Sequence, residues 1–521
     1  MFYQLGRLNE LSVNGRQTRA KLHNLTWQIG LLGLILLSGL LLFKTGPGFS
    51  VVAWMLYFVG VLAIFYEPRY GLYLLVFLTL VGDSGVMPWF PFVKNFSSRE
   101  SLLYLHDSII ISPLDTYLIF TLISWLGRGM VQRKYSFFAG SLFWPAIAFL
   151  TFVVIGLLYG LGTGGSVNIA LWESRPLFYL ILMLILTSNL LEKREHYSWL
   201  IWSAMLSIAI EAIHGLYIFI TEANFDFSKF DQSFDHTASI HFNTFIVFVV
   251  AAWVFRASIS KRITLTALLP FVGLTYMAMQ RRAAFLTLAI ALILVSIFLL
   301  KESRIAFSLI VPPLAAFALV YIIVFWNSSG ALGLPARAIK SVVAEDQADA
   351  SDQSSNLYRV LENANISFTI HTSPIFGVGF GQKFYVVYPM PDISFFEWWE
   401  YFPHNSIMWI WLKMGFGGFG AMIFLVGYAI MTGVRAAWRM PGRDLSAIAL
   451  TATLYVLMHF TFAYADISWD AQSMLYVGTM MGIIGSIEHV TSKPVPLPPK
   501  RWHWQKEPEP APDLRPIPSK N

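Results

Sequence analysis

Apolar runs close to the length of a bilayer crossing recur along almost the whole chain, separated by short polar breaks. A helical span needs roughly 20 mostly apolar residues. On that measure the breaks delimit stretches at 27–43, 50–66, 70–83, 109–127, 139–159, 176–190, 198–220, 241–257, 263–279, 283–300, 305–325, 405–431, 445–463 and 471–487, the third of them short. The pattern predicts an all-α, polytopic integral membrane protein of about 12–14 transmembrane helices. It divides into an N-terminal tail over 1–26, helices 1–11 over 27–325, a long loop over 326–404, helices 12–14 over 405–487 and a tail over 488–521. No repeat of 20–50 residues is visible, which argues against a solenoid. The last segment, with PVPLPPK and EPEPAPDLRPIP, is Pro-rich and polar and is expected to be disordered.

Composition sharpens the class. With 56% hydrophobic and only 13% charged residues, the chain is not an ordinary soluble enzyme. The absence of cysteine excludes disulfides, thiolate metal sites and cysteine nucleophiles. A net charge of +6 matters less than its distribution. If the N-terminus is cytoplasmic, about two-thirds of the lysines and arginines fall on the cytoplasmic side, as the positive-inside rule requires. Both termini are then cytoplasmic, and the 326–404 loop is extracytoplasmic. The 26 residues before the first run contain Arg7, Arg16, Arg19 and Lys21 without a small-residue cleavage site, so that run reads as an anchor rather than a signal peptide.

Charges that break this bias are the informative ones. Arg281 and Arg282, in YMAMQRRAAFLTLAIALILV, fall on the outer side at the start of a span. Unpaired N–H groups and the helix dipole there favour an anion, and guanidinium grips phosphate bidentately. The alternative is anchoring to lipid headgroups or outer carboxylates. Arg175, before Pro176, repeats the arrangement if Pro176 is the first helical residue, although Glu173 could neutralise it. His404, at the end of the long loop, can accept a hydroxyl proton at neutral pH without a metal. Glu397 and Glu400 are close enough to orient it, and Trp398, Trp399, Tyr401 and Asn405 surround it with faces and polar groups suited to a sugar; an interfacial aromatic belt would look the same. NLYRVLENANISFTIHTSPIFGVGFGQ reads as an amphipathic helix carrying Arg359, followed by a turn with Gly377, Gly379 and Gly381 that lacks the Lys-Ser/Thr of a nucleotide-binding loop. Glu211 and His214, one helical turn apart, face a polar interior, and Asp235, His236, His241 and Asn243 come next without a closed metal-ligand pattern.

Together, SRPLFYLILMLIL, FDHTASIHFNTF, RRAAFLTLAIAL, Arg359, HTSPIFGVGFG and PHNSIMWIWLKMGFGGFG, in this order and on one side of the membrane, resemble the O-antigen ligase and O-antigen polymerase superfamily of bacterial envelope glycosyltransferases over about residues 140–490. The resemblance implies a GT-C-like helical fold in the bacterial inner membrane with the active site facing the periplasm. It implies transfer of a glycan from undecaprenyl diphosphate to an acceptor hydroxyl, such as lipid A–core in lipopolysaccharide biosynthesis. No metal, cofactor or nucleic acid is implied; the partners are the lipid-linked donor, a lipid or glycan acceptor and membrane lipids. His404 would be the general base, Arg282 would bind diphosphate, and Arg175 and Arg359 would be further contacts. Arg281 stands where the family usually has a small polar residue, so either member of the pair could hold the phosphate. Glu211, His214, His241, Glu397 and Glu400 are possible polar support. A repeat-unit polymerase and a protein O-glycan ligase remain open within the class, and a polysaccharide flippase or transporter outside it.

Overall fold

A computed structural model describes residues 33, 48–82, 87, 89–132, 137–230, 234, 236–328, 330–347, 350–391, 398–440 and 443–492. The expected span at 27–43, apart from residue 33, and the tails at 1–26 and 493–521 lie outside the described residues. Every other predicted stretch contains a helix, and the described residues form no strand. In chain order these are α1 (Phe49–Tyr66), α2 (Pro68–Val81), α3 (Pro113–Gln132), α4 (Phe143–Gly162), α5 (Val167–Leu190), α6 (Arg194–Thr221), the single turn α7 (Phe227–Phe230), α8 (Ala238–Val254), α9 (Ile259–Ala278), α10 (Arg282–Glu302) and α11 (Arg304–Val324). The long loop contributes α12 (Leu334–Val343) and α13 (Ala350–Thr372), and the chain closes with α14 (Ser406–Arg439), α15 (Arg443–Phe462) and α16 (Ala471–Ser492). Among the described residues eight helices are long and apolar enough to cross a membrane: α1, α4, α5, α6, α10, α11, α14 and α15. The protein is an all-α polytopic membrane protein. Several bounds differ from expectation: α14 runs on to Arg439, past the predicted end at 431. Helix α16 continues to Ser492, into the stretch expected to be a tail. Helix α5 begins at Val167, two turns before the expected start, because Pro176 is accommodated inside it rather than at its first position.

Helices α5, α15 and α16 form the interior, and α15 is buried along nearly its whole length. Without a hydrophobic force between helices in lipid, close packing must hold them, and glycine permits it. A Cβ on Gly478 would overlap the carbonyl of Leu180, and one on Gly482 would crowd Thr187, so the 478–482 face of α16 lies directly on α5. Helix α11 is the opposite case: it buries no residue, and many of its apolar side chains, including Leu309, Phe317 and Val320, are exposed. At one end of the bundle, ion pairs tie neighbouring helices, Arg128 to Glu67 at 2.8 Å and Lys261 to Asp444 at 2.6 Å.

At the other end the chain re-enters the bundle as irregular backbone. After α13 it turns through Gly377, Gly379 and Gly381, whose φ values of 69°, 85° and 79° suit glycine alone. Non-helical backbone at such depth must be enclosed by protein and satisfied there. Val378 N–H donates to the Leu412 carbonyl at 2.7 Å, Phe380 N–H to the Gly156 carbonyl at 3.2 Å, and Phe416 N–H to the Pro374 carbonyl at 2.9 Å. Helix α14 supplies the free groups by breaking at Gly415, where φ is 66°. Adding a methyl group at Gly478 is expected to destabilise the bundle by about 1–3 kcal/mol through overpacking. Gly478→Ala should therefore lower the thermal aggregation midpoint in detergent, whereas Gly427→Ala, with open space around its Cβ, should not.

Candidate active site

His404 precedes α14 and is held by a residue from the long loop. Glu362, on α13 and almost wholly buried, accepts the His404 backbone N–H at 2.9 Å and lies 3.2 Å from its ring Nδ1. A carboxylate acceptor at Nδ1 selects the tautomer with the proton there and leaves Nε2 with a free lone pair. The Tyr358 ring, one turn before Glu362, meets the imidazole edge-on at 5.4 Å. A quarter of the His404 side chain remains accessible. Burial pulls the imidazole pKa down, but the Glu362 hydrogen bond and charge outweigh it, with a smaller contribution from Asp466, and the net shift is upward.

Asp466, in the turn between α15 and α16, is the second buried carboxylate here. Its Oδ1 lies 2.7 Å from His236 Nδ1, and its electrostatic neighbours include Arg359 and His404. Burial works to raise its pKa, yet His236 and Arg359 hold it well below the usual carboxylate range. The turn is fixed to the start of α14: Ser406 Oγ donates to the Asp466 carbonyl at 3.1 Å and accepts the Ser468 N–H at 3.1 Å. Arg359, one turn from Glu362 and half-buried, makes no hydrogen bond or ion pair among the described residues. Arg281 donates to the carbonyl of Phe234, two residues before His236, so the arginine pair stands at the edge of the same cluster. Arg282 opens α10, whose first turn is pinned to α8 by Asn243 Nδ2 on the Ala284 carbonyl at 2.8 Å. An imidazole, a guanidinium without a hydrogen bond among the described residues and a helix N-terminus are groups able to deprotonate a hydroxyl and to stabilise a departing anion.

Other sequence expectations change. Arg175 is not at a helix start; it lies in the third turn of α5, with its guanidinium bound to Asp115, Ser112 Oγ at 3.0 Å, Asn95 Oδ1 at 3.3 Å and the Tyr179 hydroxyl. It lines a cleft of about 520 Å³ between α3 and α5 whose remaining wall is largely apolar, including Ile119, Leu171 and Phe178. Glu173 does not neutralise it, because Glu173 pairs with Lys413 at 2.8 Å. Glu400 pairs with Lys383 rather than with His404, and Glu397 lies outside the described residues. Asn405 is buried and caps α14, its Oδ1 accepting the Met408 N–H at 3.0 Å. Trp398 lies tilted against Trp172 of α5 with ring centres 4.5 Å apart, Trp399 meets Phe384 and Tyr401 lies under Lys383. Glu211 and His241 face one small buried space with Thr79 and Gln472, His241 being enclosed by Tyr455 and Tyr476, and His214 lies beside Tyr217. Among the described residues no three His, Asp or Glu side chains converge as a metal site. Sequence reading missed Glu362 and Asp466. Glu362 had one signal, its place one turn from both Tyr358 and Arg359.

A folded-state pKa raised by Glu362 makes a definite statement about stability. The contribution of the pair is fully present below the unfolded histidine value of about 6.5 and is lost as pH rises through the folded value. Glu362→Gln should therefore reduce thermal stability most at acidic pH and least under alkaline conditions, and the His404 resonance should titrate at lower pH than in the parent. Equal loss at all pH values would exclude the charge pair.

No curated protein matches the chain. Residues 265–425, from within α9 to within α14, match the O-antigen ligase family. That stretch contains Arg281, Arg282, Arg359, Glu362 and His404, so the site lies within the part of this multi-pass membrane protein that is similar to the O-antigen ligase family.

Proposed function

We propose that the protein transfers a glycan from undecaprenyl diphosphate to an acceptor hydroxyl at the periplasmic face of the bacterial inner membrane. The observation that carries this reading is the pairing of His404 with buried Glu362 beside the Arg359 guanidinium, inside the stretch that matches the O-antigen ligase family. His404 Nε2 takes the proton of the attacking hydroxyl. The hydroxyl oxygen forms the new bond to the anomeric carbon as the bond from that carbon to the diphosphate oxygen breaks, and the diphosphate departs with the electron pair. Attack opposite the leaving group inverts the anomeric centre. Arg359, with Arg281 or Arg282 at the start of α10, receives the developing charge. Arg175 is committed to Asp115, and its part is to shape the mouth of the α3–α5 cleft, which offers the polyprenyl tail an apolar wall. Trp172, Trp398 and Trp399 provide faces for sugar rings.

Lipid A–core or a similar lipid is the acceptor this reading favours, since ligation needs a membrane-confined acceptor beside a membrane-confined donor. The purified protein with polyprenyl-diphosphate glycan, acceptor lipid and chelator should yield the joined product. Chain elongation of the donor instead would identify a repeat-unit polymerase, and modification only of an added protein would identify a protein ligase. His404→Ala should abolish transfer while leaving insertion intact. Arg359→Ala should lower turnover by about 10²–10³-fold, the usual effect of losing one charge-stabilising donor. Full activity of either variant overturns the corresponding role.

A further inference from the structure

Two side chains of opposite charge, both without accessible surface, take no part in the chemistry above. Lys413 Nζ lies 2.8 Å from Glu173 Oε1. The carboxylate also accepts the Gly381 N–H, while the ammonium donates to the Gln382 carbonyl and stands 5.7 Å from the centre of the Tyr401 ring. Four segments thus meet at one ion pair: α5, the glycine turn, the aromatic stretch leading to His404, and α14. Apolar residues of similar volume would fill this space as well or better, so packing gives no reason for the charges. What an apolar pair cannot do is bond both the N–H of Gly381 and the carbonyl of Gln382.

Holding those two peptide groups also holds the residues after them. Phe384 N–H donates to the Glu400 carbonyl at 3.1 Å, and Lys383 pairs with the Glu400 side chain, so residues 381–384 run beside 400–401. Phe402 stacks on Trp409, and His404 is two residues on. On the other side, Trp172 adjoins Glu173 and touches Trp398, and Arg175 borders the α3–α5 cleft. We propose that Glu173 and Lys413 are positioning residues of the transfer reaction: through Gly381, Gln382 and Tyr401 they set the His404 segment against the α5 wall of the cleft. The proposal rests on the function proposed above for the meaning of His404, and on geometry alone for the clamp.

The absence of cysteine allows spin labels to be placed by Leu171→Cys on α5 and Tyr385→Cys beyond the glycine turn, both exposed positions. Pulsed electron paramagnetic resonance then reads the distance distribution between them. In the Glu173→Gln/Lys413→Gln variant, expected to insert because no lone buried charge remains, the distribution should broaden. On the unlabelled background kcat should fall by about 10²-fold, the scale of a 1 Å misplacement, with KM for donor and acceptor unchanged. A merely structural pair would lower the melting temperature without that split. A distribution as narrow as the parent's, or full kcat, overturns the proposal. Should the double variant fail to insert, Gly381→Ala keeps both charges and strains the turn they hold, its Cβ also crowding the Ser166 carbonyl before α5; the same broadening and kcat loss are expected, and their absence is equally decisive against the clamp. If the parent itself transfers no glycan, the proposed function fails while the distance measurement still decides whether the clamp exists.

Discussion

Inside a membrane protein every peptide group must find a partner, and the arrangement around His404 depends on how that demand is met where regular structure ends. A helix continued through Gly415 would satisfy its own carbonyls and leave nothing for the incoming turn. By breaking there, α14 exposes the Leu412 carbonyl to Val378 and the Phe416 N–H to Pro374. The exchange gives irregular backbone that enters between α4, α5 and α14 hydrogen-bond partners on the helices. Residues 400–402, which lead to His404 at the foot of α14, are tied to the continuation of that turn by the Phe384 N–H on the Glu400 carbonyl.

Helices were legible because bilayer length and apolarity constrain sequence directly. The cluster was legible only in part. His404, Arg281, Arg282 and Arg359 stood out as charges or imidazoles on the side where basic residues are scarce. Glu362 did not, because an acidic residue on an amphipathic helix is ordinary until the fold brings it across 42 positions to His404. Asp466 sits in a short turn whose sequence names no partner. Lys413 carried the one strong signal not converted into a role: a lysine inside an apolar run demands a counter-charge, but nothing local points to Glu173 on another helix.

Arg175 shows where local rules mislead. Proline is favoured at the first position of a helix, and the sequence SRP invites that reading. Here Val167–Glu173 already form two turns, and Pro176 sits within the helix. The guanidinium consequently projects sideways to Asp115 instead of along the axis toward an anion. Position along the helix, rather than residue type, decided whether the charge was available.

A single carboxylate, Glu362, holds both the main-chain N–H and the imidazole of residue 404. Turning the ring away would abandon a charge-assisted bond and strand a buried anion, so ring and backbone move together or not at all. In the function proposed above His404 is the base, and a base held in this way cannot follow its substrate. Several hydroxyls on one sugar ring have nearly the same acidity, and a swivelling base would sample them all; a stationary one accepts only the hydroxyl whose oxygen arrives along its fixed lone pair. Regioselectivity of the new linkage is then written into the angle of arrival, not into the strength with which the acceptor is bound.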